Sequence, residues 1–143
     1  MAIPPIPAHL ALQIVSADRL LVDEQVDEVE IPGADGYLGV LPGHTPLLAL
    51  LQVGELWYRK GSEKTYLAIA FGFAEVQPDR VTILAEIAEK ADEIDAARAE
   101  AAKKRAEERL SRPTMEMDFE RARIALLKSL IRLQVASRAR IRS

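Results

Sequence analysis

The sequence predicts a mainly β N-terminal sandwich over residues 1–86, joined to an α-helical C-terminal hairpin over residues 87–143: an all-β domain followed by two antiparallel helices. Three features predict this division. Up to about Ala85 the apolar residues come in short alternating or continuous runs punctuated by Gly and Pro, and all seven glycines lie between Gly33 and Gly72. From Asp92 the chain turns to Ala, Glu, Lys, Arg and Leu, the strong helix formers, with no glycine left to relieve a helix. Between the two helical stretches stands Ser111-Arg112-Pro113, where proline cannot continue the hydrogen-bond ladder.

The strands are read from LALQIVSA, QVDEVEIPG, YLGVLPG, GELWYRKG, TYLAIAFGFAEVQPD and RVTILAE. Val26, Val29 and Ile31 are interleaved with acids, as a strand with one wet face requires, and the short spacing points to an antiparallel sandwich or barrel. For the first helix, Asp92 is the expected cap, with Asp95 in the first turn near the free N–H groups and the positive dipole end. Ala99, Ala102, Ala106 and Leu110 form its inward stripe. The second helix, from about Thr114 or Asp118 to about Ser137, carries Phe119, Ala122, Leu126 and Leu133 along one face and Ile124, Leu127, Ile131 and Val135 along another. Buried alanine contributes little, because the hydrophobic gain is about 25 cal/mol per Å² and a methyl group offers little area. The pair is therefore expected to be marginally stable, and the second helix to want a further surface.

Composition removes whole classes of chemistry. The 143 residues hold no cysteine, which excludes disulfides, thiolate zinc sites and thiol nucleophiles, and the histidines are His9 and His44 alone. No Walker loop of the GxxxxGK[ST] form occurs, and no nucleophile–base pair or metal cluster can be assembled, so no catalytic residue is assigned. The N-terminal stretch MAIPPIPAHLALQIV lacks the pattern of a signal peptide, and no run reaches the roughly 18 apolar residues of a membrane span, so membrane attachment is expected only through partners. The net charge of −3 conceals a gradient: residues 1–86 hold 12 acids and 5 bases, residues 87–118 hold 9 and 7, and residues 119–143 hold 1 and 7. A basic end suggests an acidic partner, while the acidic front argues against nucleic acid. Arg98 and Arg105 are seven apart, Arg109 follows at i+4, and Lys128 and Arg132 form a second i, i+4 pair. Two folded helices carrying these rows could surround one polyanion, since planar guanidinium forks suit phosphate oxygens. The competing reading of the same residues is solvated i, i+4 pairs with Glu, worth a few tenths of a kcal/mol each.

The stretches GYLGVLPGHTPLLALLQVGEL, FGFAEVQPDRVTILAE and IDAARAEAAKKRAEERL, in that order, resemble the epsilon subunit of the F-type ATP synthase over nearly the whole chain. The resemblance implies a non-catalytic central-stalk subunit of the proton-translocating complex, peripheral at the cytoplasmic face of the bacterial plasma membrane, with the sandwich bound to the gamma subunit and the c-ring. It also implies helices that restrain ATP hydrolysis by exchanging a compact hairpin for an extended form reaching the alpha/beta catalytic subunits; at about 1.5 Å per residue the two helices would span roughly 28 and 36 Å. ATP enters as a regulatory ligand, not a catalytic cofactor. Ile94, Asp95, Arg98 and Ala99 match the I-D-x-x-R-A motif of ATP-binding members, Arg105 its next arginine, Glu89 an upstream acid, and Arg132 a residue of the second helix. Glu89 and Asp95 would then serve the adenine amino group or ribose hydroxyls. The loop from Gly36 to Pro46, with Gly36, Tyr37, Leu38, Pro42, Gly43 and His44, is the implied rotor interface, and Arg121, Arg123 and Arg138 the implied inhibitory basic face. Two positions depart from the pattern: Lys128 replaces an arginine and loses its fork, and Phe71 replaces a second glycine before GFAEV. Lys128 favours the alternative, a coupling and inhibitory subunit indifferent to nucleotide.

Overall fold

The computed structural model describes residues 3, 5–112 and 116–141. The chain divides into two compact units, Met1–Glu89 and Lys90–Ser143. In the first unit the strands are β1 (Leu10–Val15), β2 (Leu20–Val26), β3 (Glu28–Gly33), β4 (Gly36–Val40), β5 (Leu47–Leu51), β6 (Gly54–Lys60), β7 (Glu63–Gln77) and β8 (Arg80–Lys90). They follow the order β2-β1-β8-β7-β5-β3-β4, with β6 pairing β3 and β7. Most pairs are antiparallel as expected, but β1 runs parallel to β8, Ala11 opposite Arg80 through Val15 opposite Leu84. Parallel neighbours need a long crossover, and here the whole of β2 to β7 supplies it.

The two layers of the sandwich are joined by β7. Its first half pairs with β6 from Lys60↔Glu63 to Gly54↔Ile69, and its second half pairs with β5 from Leu51↔Gly72 to Leu47↔Val76. The change of partner falls on Phe71 and Gly72, both at positive φ (62° and 120°). A Cβ at Gly72 would lie 2.0 Å from the carbonyl oxygen of Leu84, so only glycine lets β8 pass this bend. Alternation is clearest in β1, where Leu10, Leu12 and Ile14 are fully buried while Ala11 and Gln13 are exposed, and Val29, Ile31, Leu56, Leu67, Ile69, Val81 and Ile83 close the core from other strands.

The second unit opens with a 3-10 turn at Ala91–Glu93, followed by α1 (Ala96–Leu110) and α2 (Glu116–Ile141). Asp92 is not the cap of α1. It lies in the 3-10 turn, Ile94 then takes an extended conformation (ψ 126°), and Asp95 caps the helix, its carboxylate accepting from Arg98 N at 3.0 Å. The 3-10 turn is closed separately by Glu93, whose Oε1 accepts from Lys90 N. α1 is thus shorter than expected, 15 residues or about 22 Å, and α2 longer, 26 residues or about 39 Å, because Arg138 to Ile141 continue the helix. The expected break at Pro113 and the start at Thr114 lie outside the described residues. At the end of α1, Ser111 closes the last turn: its amide donates to the carbonyls of Glu107 and Glu108, and its hydroxyl to Glu108 O at 2.6 Å.

Candidate functional site

The helices pack on each other through small side chains. The fully buried positions of this unit are Ala99 and Ala106 on α1 and Ala122, Ser129, Val135 and Ala136 on α2. Ser129 is accommodated because its hydroxyl donates to Ala125 O at 2.8 Å and so is not stranded in the seam. Ala102 and Leu110, expected inward, are half-buried. On α2 the expected stripes are redistributed: Phe119 is 49% exposed and Leu127 39%, whereas Val135 is buried. Ala122, Ser129 and Ala136 recur every seven residues, and that period, rather than the leucines, faces α1.

The cations flank this seam in a regular way. Arg98 and Arg105 each precede a buried alanine by one position, and Lys128 precedes the buried Ser129. At about 100° per residue, a side chain one position before the seam stands a quarter turn to one side of it, and in an antiparallel pair the quarter turns of both helices open on the same groove. Arg132, half-buried with its Nε covered, lies one turn beyond Lys128 on that flank. Arg121 stands one position before the buried Ala122 and so belongs to this groove as well. It does not share a face with Arg123, two residues on, which is held by Glu120 through contacts of 3.1 and 3.3 Å; the same carboxylate contact holds the Arg123 pKa above its ordinary value. Arg138 is half-buried on α2. The repeated cation–small dipeptides R-A, R-A, R-A and K-S were the signal in the sequence that places Arg121 with the groove.

Of the remaining motif residues, Asp95, Ala99 and Ile94 belong to the scaffold of the second unit. Asp95 spends one carboxylate oxygen on the helix cap, Ala99 is fully buried in the seam, and Ile94 is the half-buried residue between the 3-10 turn and α1. Glu89 is the last residue of the first unit, at the end of β8, where it is half-buried. Among the described residues, Arg98, Arg105 and Arg109 make no ion pair with a carboxylate, so the solvated i, i+4 pairs that compete for these side chains are not formed on α1.

The proposed rotor loop lies on the first unit. Gly36 (φ 124°) and Gly43 (φ 89°) turn the chain on either side of β4, and Gly43 N donates to Pro78 O at 2.7 Å. Tyr37 is 58% exposed, with its hydroxyl accepting from Glu55 N. His44 Nδ1 lies 2.7 Å from Thr45 O, a contact in which the ring nitrogen must donate, so the residue fastens a turn. Pro42 is half-buried beside it. Gly36, Tyr37 and Leu38 line a groove of about 430 Å³ with Leu47, Leu48 and Leu50 of β5, of which Leu48 is 69% exposed. These leucines were missed as surface residues because PLLALLQ has no polar alternation to mark its wet side. Among the described residues no cluster of His, Asp or Glu could hold a metal ion, and no helix is long and apolar enough to cross a membrane.

Comparison with known proteins is consistent along the whole chain. Residues 9–91 match the family described as the ATP synthase delta/epsilon chain, β-sandwich domain, and residues 92–137 the delta/epsilon long α-helix domain. The ATP synthase epsilon chain of Koribacter versatilis is 57% identical over 98 residues, covering 68% of this chain and 69% of that one. ATP synthase epsilon chain 2 of Syntrophotalea carbinolica is 49% identical over 130 residues, covering 90% of this chain and 94% of its own length. A chain in the cryo-EM structure of the Euglena gracilis mitochondrial ATP synthase superposes with a TM-score of 0.81 at 29% identity, over 93% of this chain and 84% of that one. With a sandwich and helix pair that match both domain families in order, and bacterial epsilon chains aligned over nine-tenths of its length, this chain belongs to the ATP synthase delta/epsilon family as an epsilon chain, a non-catalytic subunit of the central stalk.

Proposed function

We propose that this epsilon chain senses ATP through its helix pair and restrains ATP hydrolysis when the pair opens. The observation that carries the reading is the seam of small buried residues, Ala99, Ala106, Ala122, Ser129 and Ala136, beside which the helical period sets Arg98, Arg105, Lys128 and Arg132 on one flank. Small residues bury little area, so the closed pair is held weakly, and a row of cations along one flank favours a polyanion beside it. A ligand that binds only the closed pair stabilises it by RT ln(1 + [L]/Kd), about 2.7 kcal/mol at a hundredfold excess over Kd. That is enough to move a balanced equilibrium almost entirely to one side, which a thick leucine core would prevent. Arg98, Arg105 and Arg132 hold phosphate oxygens, Lys128 adds a point charge, and Ile94 and Asp95 contribute at the adenine and ribose end. Ala99 acts by its smallness, letting the helices approach.

In this reading the sandwich joins the gamma subunit and the c-ring through Gly36, Tyr37, Leu38, Pro42, Gly43 and His44, on the cytoplasmic side of the bacterial membrane. The opened α2 meets acidic alpha/beta catalytic subunits with Arg123, Arg138 and, once released from the groove, Arg121. Calorimetric titration of the full chain with ATP, beside Arg98→Ala, is the test: saturable heat that weakens about tenfold or more in the variant supports the site, and the absence of heat in both removes ATP from the mechanism. The second reading, inhibition without nucleotide, is favoured by Lys128, whose ammonium cannot clamp phosphate in two places. Removing the residues after Glu86 and measuring ATPase activity of the reconstituted complex separates a brake from a purely structural part, because only loss of a brake raises the rate.

A further inference from the structure

The C-terminal end of α1 holds a feature that shares only Arg105 with the groove of Arg98, Arg105, Lys128 and Arg132. Arg105, Glu108, Arg109 and Arg112 line a cavity of about 290 Å³ among the described residues. Arg105, Glu108 and Arg109, at i, i+3 and i+4, share one side of α1, and Arg112 follows just beyond its C-cap Ser111, so that three guanidinium-bearing residues and one carboxylate line the cavity. Cations at the end of a helix commonly satisfy its last carbonyls and oppose its dipole. Here that task is already done by other groups: the carbonyls of Glu107 and Glu108 accept from Ser111 N, Glu108 O also accepts from the Ser111 hydroxyl, and Arg109 O accepts from Arg112 N at 3.4 Å. Arg109 and Arg112 also form no ion pair among the described residues. Arg105 and Arg109, like charges at i+4 on α1, repel one another, and with Arg112 beside them and a single acid they leave an excess of positive charge that an external anion would relieve.

We propose that this cavity is a second anion site, taking a small phosphate-class oxyanion such as inorganic phosphate or pyrophosphate. Size selects the class: about 290 Å³ falls at the lower edge of the roughly 300–1,000 Å³ that encloses drug-sized ligands, too little for a base, a sugar and a triphosphate together. Chemistry selects it again, since adjacent guanidinium forks each offer paired N–H donors to tetrahedral oxygens, and a singly charged carboxylate would satisfy only one of them. Glu108 limits the affinity, so the site responds to a dense dianion or trianion and ignores chloride. The inference shares Arg105 with the nucleotide reading and is told apart from it by Arg109 and Arg112, the pair changed in the double variant below.

The full chain, at low ionic strength, is titrated calorimetrically with inorganic pyrophosphate, inorganic phosphate and ATP in parallel. Pyrophosphate should bind saturably. The Arg109→Gln/Arg112→Gln double variant should weaken it tenfold or more, Arg98→Ala should leave it within twofold, and Glu108→Gln should tighten it severalfold, a gain that no loss of folding can imitate. A pyrophosphate affinity that falls with Arg98→Ala as far as with the double variant would assign the anion to the groove instead. No saturable pyrophosphate binding, or a double variant that binds as the native chain does, also overturns the site. Pyrophosphate binding without any ATP binding removes the nucleotide reading and leaves this one standing.

Discussion

Phe71 carries the least comfortable backbone in the sandwich. Its φ of 62° places a bulky residue where glycine is normally required, and the departure from glycine that the sequence already marked is borne by the half-buried ring rather than by a different turn. Phe71→Gly and Phe71→Ala both remove the ring, but only glycine also relieves the left-handed conformation. The glycine variant should therefore be more stable than the alanine variant by about 1 kcal/mol in urea unfolding, and equal midpoints would show that the bend costs nothing. Gly72→Ala, which meets the Leu84 carbonyl, should destabilise by about 3 kcal/mol or more. On α1, Asp95→Ala removes the cap and should cost about 1 kcal/mol of helix stability, with Asp95→Asn retaining most of it. A third residue ties the sandwich turns together: Asp27 accepts from Gly61 N at 2.7 Å, meets His9 Nδ1 at 2.9 Å and faces Arg59 at 3.7 Å. The Gly61 amide first, then His9, holds its carboxyl below the ordinary 3.8. Its contribution is therefore whole above that value and is lost as pH falls through the lower folded value. The urea midpoint of the native chain should drop more steeply below about pH 4 than that of Asp27→Asn; parallel acid limbs would show that these contacts carry no linkage.

At the scale of elements, the seam between α1 and α2 sets the stability of the regulatory unit. Ala122 is fully buried in this seam, so Ala122→Leu should force the helices apart at a cost of about 1–3 kcal/mol and weaken any ligand that needs the closed pair, while Leu127→Ala, at an exposed position, should change little. An unaltered helical transition in Ala122→Leu would show that the seam is not tight. Much of this architecture was legible beforehand because it rests on period and punctuation: the strands β1, β3, β4, β6, β7 and β8 fall on the quoted runs, and the alanine stripe of α1 follows from spacing alone. What escaped has physical causes. LLALL of β5 is apolar on both faces, three of its leucines outward, and therefore shows no alternation. LLVDEQV of β2 is interrupted by the polar run Asp23-Glu24-Gln25, which resembles a loop. The cap moved from Asp92 to Asp95 because both are good caps, and only the 3-10 turn, a matter of a few φ/ψ angles, decides between them. The parallel pairing of β1 with β8 is a long-range choice that no local pattern encodes.

Over the whole molecule, the two units are built on different principles. The sandwich core draws large side chains from all eight strands, whereas the helix unit buries chiefly alanine, so their stabilities are expected to differ widely. The chain offers a separate probe for each. Its one tryptophan, Trp57, lies on β6 with the Lys64 ammonium 4.0 Å above its ring, and so reports the sandwich alone, while the helical circular dichroism signal is dominated by α1 and α2. Heating should therefore give two transitions, the dichroic one at lower temperature and the fluorescent one above it, in place of a single cooperative step. A ligand that binds only the closed helix pair adds its free energy to that pair and to nothing else. Saturating ATP should accordingly raise the dichroic midpoint by several degrees and leave the Trp57 midpoint in place, with Arg98→Ala abolishing the shift. If both probes move together with ATP, the units unfold as one and a weakly held, independently switching helix pair is ruled out. If neither moves, the groove of Arg98, Arg105, Lys128 and Arg132 is a charged surface without a nucleotide, and the epsilon chain acts through packing and charge alone.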